Sequence, residues 1–241
     1  MRPIGMIGGM SWESTREYYR ILNETMRTRR GGFHSAPLIL YSVDFAEIEA
    51  LQQQAKWQEI ARLLVDAARR VEAAGSCCVL LCTNTMHKLA DDIQAHLGVP
   101  LLHIADATGQ KIQAQGLATV GLLGTRVTME EDFYVGRLSQ NYGLKVLVPS
   151  EEERELVHRV IYHELCMGEI RPSSRAHYTT IIERLVEHGA EGIVLGCTEI
   201  GLLVRPEDSP VPLFDTTEIH AVAAVDYILD NASFIPEPGD A

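Results

Sequence analysis

Three short stretches of this chain recur in the same order at almost one offset. Ile4-Gly5-Met6-Ile7-Gly8 matches Val120-Gly121-Leu122-Leu123-Gly124, displaced by 120 − 4 = 116 residues. Leu81-Cys82-Thr83-Asn84 resembles Gly196-Cys197-Thr198-Glu199, with the cysteines 197 − 82 = 115 residues apart. Ile104-Ala105-Asp106-Ala107-Thr108 resembles Leu213-Phe214-Asp215-Thr216-Thr217. An ordered repeat of this kind restricts the chain to one fold built twice. Each cysteine follows an apolar run, so each belongs where a buried strand enters its next turn.

Strand and helix patterns alternate along all 241 residues. The fold class that follows is α/β: two pseudo-symmetric domains, each a mainly parallel sheet flanked by helices. The spacing predicts helices over 14–30, 57–74, 85–97, 129–141, 151–167, 173–188 and 216–229. Asp44 and Asp106 are the expected caps of two further helices. The boundary near Gln115-Gly116 is short and carries no linker composition. Residues 1–115 with 215–241 are therefore expected as the first domain and 116–214 as the second, the last helix returning to the first copy. The tail around Pro236 and Pro238 is expected to fray.

A formal net charge of −12 argues against a nucleic-acid groove, and no basic stripe offsets it. The glycine-rich start does not read as a secretion signal, and no apolar run reaches the roughly 20 residues of a membrane helix. A cytoplasmic, soluble protein without a membrane partner is the expectation. Five cysteines, an odd number without C-x-x-C, argue against disulfides and against a zinc site. Gly5-x-x-Gly8-Gly9 is not a dinucleotide fingerprint, and no P-loop is present.

Chemistry therefore falls to the two cysteine turns. Both follow strands at ends where open α/β sheets bind ligands. A helix predicted to start at Thr85 would place its positive end near Cys82 and favour a thiolate. Thr83, Asn84, Thr85 and Thr198 supply hydroxyls, an amide and backbone donors suited to a carboxylate. If the copies face each other across a cleft holding the active site, two thiols approach one small ligand from opposite sides. That arrangement suits moving a proton from one face of a carbon to the other. His87 offers a rival, a cysteine hydrolase using Cys82; an amino-acid-binding protein without catalysis is another. Cys77, Cys78 and Cys166 read as core.

Gly8-Gly9-Met10-Ser11-Trp12-Glu13-Ser14-Thr15, Cys82-Thr83-Asn84-Thr85-Met86-His87-Lys88 and Gly196-Cys197-Thr198-Glu199-Ile200 resemble the aspartate/glutamate racemase family, nearest its broad-specificity amino-acid racemase branch. The resemblance implies a cofactor-independent amino-acid racemase with an active site between two α/β domains, usually dimeric. It implies Cys82 and Cys197 as acid and base. Met10, Gln52, Thr83, Asn84, Thr85, Thr125 and Thr198 would contact the substrate. Strictly aspartate-directed members tend to carry a lysine in the segment Glu164-Leu165-Cys166-Met167-Gly168. Cys166 there would bear on side-chain specificity, opening it to neutral or broader side chains. Hydantoin racemisation, malonate decarboxylation and maleate isomerisation occur on the same scaffold.

Overall fold

The computed structural model describes residues 1–231, so the tail expected to fray lies outside the described residues. The chain divides into two compact units. Of the described residues, the first comprises Met1–Cys82, Leu89–Leu102 and 220–231; the second comprises Thr83–Lys88 and His103–Ile219. The expected first domain also took in 83–88, 103–115 and 215–219. Packing puts these three stretches with the second unit.

In the first unit, β1 (Ile4–Gly8), β2 (Leu38–Ser42), β3 (Cys78–Leu81) and β4 (Leu101–Leu102) form an all-parallel sheet of order β2-β1-β3-β4. The central strands β1 and β3 are buried along their whole length, as expected for apolar runs covered on both faces. Helix α1 (Trp12–Arg30) buries Tyr18, Leu22 and Met26 at helical spacing. It ends in a basic turn at Gly31, whose φ of 77° suits glycine. Helix α2 (Phe45–Gln53) is capped by Asp44, whose carboxylate accepts from the Ala46 N–H. Helix α3 (Trp57–Ala73) buries Ile60, Leu64, Ala67, Ala68 and Val71. Helix α4 is short (Ala90–Gln94), because the segment before it, Thr85–Leu89, winds as a 3-10 turn rather than extending the predicted helix.

The second unit repeats the plan. Helix α5 (Ile104–Ala114) leads into β5 (Thr119–Gly124), α6 (Arg126–Glu130), α7 (Asp132–Tyr142) and β6 (Lys145–Leu147). Then come α8 (Glu151–His163), α9 (Pro172–Glu187), β7 (Gly192–Gly196), α10 (Ile200–Leu203) and β8 (Leu213–Asp215). The sheet is again all parallel, ordered β6-β5-β7-β8. Helix α11 (Thr216–Asp230) starts in this unit and contributes Ala221, Ala224, Val225 and Ile228 to the core around Ile4, Met6 and Tyr18. There His220 is fixed by two partners. The Leu102 carbonyl can only accept, so Nε2–H donates to it at 2.7 Å and Nδ1 accepts from the Tyr18 hydroxyl at 2.8 Å. Burial pushes the His220 pKa down to about 4, so the ring is neutral.

Three further expectations about helices are corrected. The helix predicted over 129–141 is two, broken where Glu131 is extended (ψ 150°), because the Thr125 hydroxyl caps a separate short helix at the Thr128 N–H. The helix predicted over 151–167 stops at His163, and Leu165–Met167 forms a 3-10 turn closed by left-handed Gly168. Asp106 does not cap α5. The His103 ring accepts from the Ala105 N–H instead, and Asp106 pairs through both oxygens with Arg137 at 2.7 Å. Among the described residues, no helix is long and apolar enough to cross a membrane.

Candidate active site

In a sheet of order 2-1-3-4, the connections from the two central strands leave in opposite directions, and ligands bind in the crevice beyond their carboxyl ends. In the first unit that end carries Gly8-Gly9-Met10-Ser11 after β1 and Cys82 after β3. In the second it carries Gly124-Thr125 after β5 and Gly196-Cys197 after β7. Glycine is required at these turns. Gly9 has φ +94°, and a Cβ there would lie 2.3 Å from the Val43 carbonyl. A Cβ on Gly124 would lie 2.8 Å from the Gly196 carbonyl.

Strand register fixes which residues correspond between the two copies. Ile4 pairs with Cys78 and Val120 with Gly192, an offset of 192 − 78 = 114 on the third strand against 116 on the first. Cys197 therefore corresponds to residue 197 − 114 = 83, which is Thr83; the counterpart of Cys82 is Gly196. A single offset of 115 read from the sequence falls between these values, which is why it matches one cysteine to the other. Cys82 is fully buried in the apolar cluster with Ile4, Met6 and Leu80, and its N–H donates to the Ile7 carbonyl at 2.9 Å. Burial pushes its thiol well up. The expected acidification by a helix N-terminus is not found, since the following segment is a 3-10 turn.

The residues Asn84, Thr85, Thr125, Thr198 and Cys197 all belong to the second unit. The Cys197 thiol donates to Glu199 Oε2 at 3.1 Å, and the Thr198 hydroxyl donates to the same oxygen at 2.9 Å. Burial, then the Glu199 charge, push the Cys197 thiol up. The Thr85 and Thr125 hydroxyls are 2.9 Å apart, and Thr125 is 3.1 Å from Thr128. The Asn84 amide nitrogen donates to Thr216 Oγ1 at 3.0 Å, while that hydroxyl donates to the Leu195 carbonyl at 2.8 Å. This chain of donors fixes the amide's orientation and leaves Asn84 Oδ1 buried without a protein donor. A buried acceptor in that state matches an ammonium group.

His87 is locked. The Ile104 N–H can only donate, so Nε2 accepts it at 3.2 Å and Nδ1–H donates to the Thr83 carbonyl at 2.7 Å. Its ring also meets His103 edge-on at 4.5 Å. With both nitrogens committed to backbone, His87 has none left to activate Cys82, which removes the hydrolase reading. Met10 (buried), Gln52 on α2 (half-buried) and Cys82 belong to the first unit, apart from the other candidate residues. Cys166 sits half-buried in the 3-10 turn Leu165–Met167, packed against the second core; burial and then the Glu199 charge push its thiol up. Sequence reasoning quoted Glu199 without a role and assigned none to Thr128 or Thr216. Their contacts arise from turns and a helix start that periodicity does not place.

Two parallel sheets, each ending at its switch point in a glycine turn beside hydroxyl or thiol side chains, define a duplicated α/β fold. The chain belongs to the Asp/Glu/Hydantoin racemase family, whose model matches residues 7–224. It is 26% identical over 167 residues to the broad specificity amino-acid racemase RacX of Bacillus subtilis, covering 69% of this chain and 71% of that one. A candidate Asp/Glu racemase crystallised from Yersinia pestis is 55% identical with a TM-score of 0.88, over 95% of this chain and 100% of the other. An aspartate racemase homologue from Pyrococcus horikoshii is 35% identical with a TM-score of 0.80, over 97% and 100%.

Proposed function

We propose that the protein interconverts L- and D-amino acids without a cofactor, by exchanging the Cα proton between one group on each face of the substrate. The observation that carries this reading is Cys197, a thiol at the carboxyl end of a central strand, hydrogen-bonded to the Glu199 carboxylate that also holds the Thr198 hydroxyl. Cys197 as thiolate removes the proton on its face. For the opposite face the family resemblance offers Cys82. We assign the role to Cys82 at the carboxyl end of β3, whose thiol delivers a proton to Cα and whose thiolate takes one in the reverse direction, the two thiols being restored through water. Asn84 Oδ1 accepts from the substrate ammonium, and Thr85, Thr125 and Thr198 serve its carboxylate, where negative charge grows as the proton leaves. Met10 and Gln52 complete the contacts. Cys166 replaces a cation on the side-chain end, which supports a range wider than aspartate. The family resemblance supports a homodimer as the working state, to be checked by light scattering.

The test is incubation in D₂O with a panel of L-amino acids, following Cα deuteration by NMR and handedness by chiral chromatography. Deuterium entry with appearance of the D-enantiomer is expected, and the reactive members name the preferred side chains. Folded protein that exchanges no Cα proton on any amino acid sinks the proposal. Full exchange in Cys82→Ser with loss of exchange in Thr83→Ala would take the second role away from Cys82.

A further inference from the structure

Cys197 must be a thiolate to take a proton from carbon, yet burial and a neighbouring carboxylate oppose its losing a proton to water. The carboxylate responsible is in direct contact. Glu199 is 2% exposed, Cys197 7% and Thr198 4%, so the group is nearly closed to solvent. Both the thiol and the Thr198 hydroxyl converge on Oε2, so this oxygen is held against the sulfur by a second, non-titrating donor. Moving the proton from sulfur to Oε2 breaks one S–H bond and forms one O–H bond. The pair carries one negative charge before and after, so no charge enters or leaves a buried site.

We propose that Glu199 is the proton acceptor of Cys197, converting thiol and carboxylate into thiolate and carboxylic acid, with Thr198 positioning the accepting oxygen. The part Glu199 plays in turnover rests on the racemase reading; the pairing itself does not. In turnover the thiolate takes the Cα proton, leaving thiol and carboxylic acid, and one proton then passes to water to restore the pair. The titratable groups facing it are Cys166 from the 3-10 turn after α8 and Tyr178 from α9, both pushed up by burial. Glu164 is held by Ser174 at 2.6 Å and by Arg171 at 3.6 Å. Cys197 and Glu199 therefore titrate as a unit.

A shared proton has a signature that an isolated thiol lacks. The thiolate–acid and thiol–carboxylate forms hold the same number of protons, so their ratio does not change with pH while the pair holds one proton. Alkylation of Cys197 by iodoacetamide, read by peptide mass across neutral pH, is expected to be nearly flat in the unaltered protein. In Glu199→Gln it should climb about tenfold per pH unit, as for a lone thiol. Glu199→Asp, which keeps an acid, should restore a flat region. A wild-type profile that climbs about tenfold per pH unit across neutral pH overturns the proposal, and that reading needs no variant to fold. In the racemase assay Glu199→Gln is expected to lower kcat at least about tenfold while KM changes less. Absence of turnover in the unaltered protein would count against the racemase reading alone, because the alkylation profile is read without substrate.

Discussion

The two central-strand turns began as one motif and now differ in chemistry. After β7, Gly196 lets the chain pass beneath Leu122 and Thr128, and the thiol of Cys197 sits beside a carboxylate. After β3, the residue at the glycine's place is Cys82, whose side chain goes into the core, and Thr83 holds the place of Cys197. Both thiols are buried, and the difference lies in what surrounds them: the Cys197 thiol meets the Glu199 carboxylate, whereas Cys82 lies among apolar side chains. The Thr83 turn is instead tied through its carbonyl to His87, and His87 to the start of α5.

The sharpest test of this asymmetry is Cys197→Ala. It should reduce Cα exchange by about a thousandfold or more, at the upper range for loss of a positioned acid–base group. Exchange within tenfold of the unaltered protein would show that the β7 turn is not the reacting one.

The core of the first unit carries a group that responds to acid. It has a neutral imidazole at its centre, with a folded pKa of about 4 against 6.5 for a free histidine. A depressed histidine pKa gives stability that is full above the unfolded value and is lost as pH falls through the window between about 6.5 and 4. That loss amounts to about 3 kcal/mol if fully expressed. Denaturant titrations between pH 7 and 4 should show the drop, and His220→Gln should flatten it. Equal slopes for both proteins would place the acid sensitivity elsewhere.

Cys82→Ala is expected to lower exchange about a hundredfold or more and to destabilise by roughly 1–2 kcal/mol, as a small buried group lost from a tight core. Thr83→Ala gives the smallest effect, with exchange staying within about tenfold. Reversal of these two outcomes, read by Cα deuteration, moves the second role from Cys82 to the residue at the register position of Cys197.

Much of the fold was legible because its signals are local and repeated. Continuous apolar runs gave β1, β3 and β7. Helical spacing of Ile60, Leu64, Ala67 and Val71 gave α3, and Asp44 marked the start of α2. The errors fall where side chains outside the local window decide the backbone. Asp106 is drawn to Arg137, so a histidine caps α5; Thr125 starts a separate helix, which splits the predicted 129–141.

The sequence by itself determined that one α/β unit occurs twice and which turns end its central strands, because apolar periodicity and glycine placement act over a few residues. It also pointed to short turns of Cys, Thr and Asn as the candidates for chemistry. Only the tertiary structure decided which residues of the two turns hold the same register position. Register between β1 and β3 is set by packing of residues more than 70 positions apart, and a shift of one residue turns a side chain from core to crevice. The same holds for the carboxylate of Glu199. Its closeness to the Cys197 thiol follows from how the chain folds after β7, and that contact gives the thiol a partner for its proton.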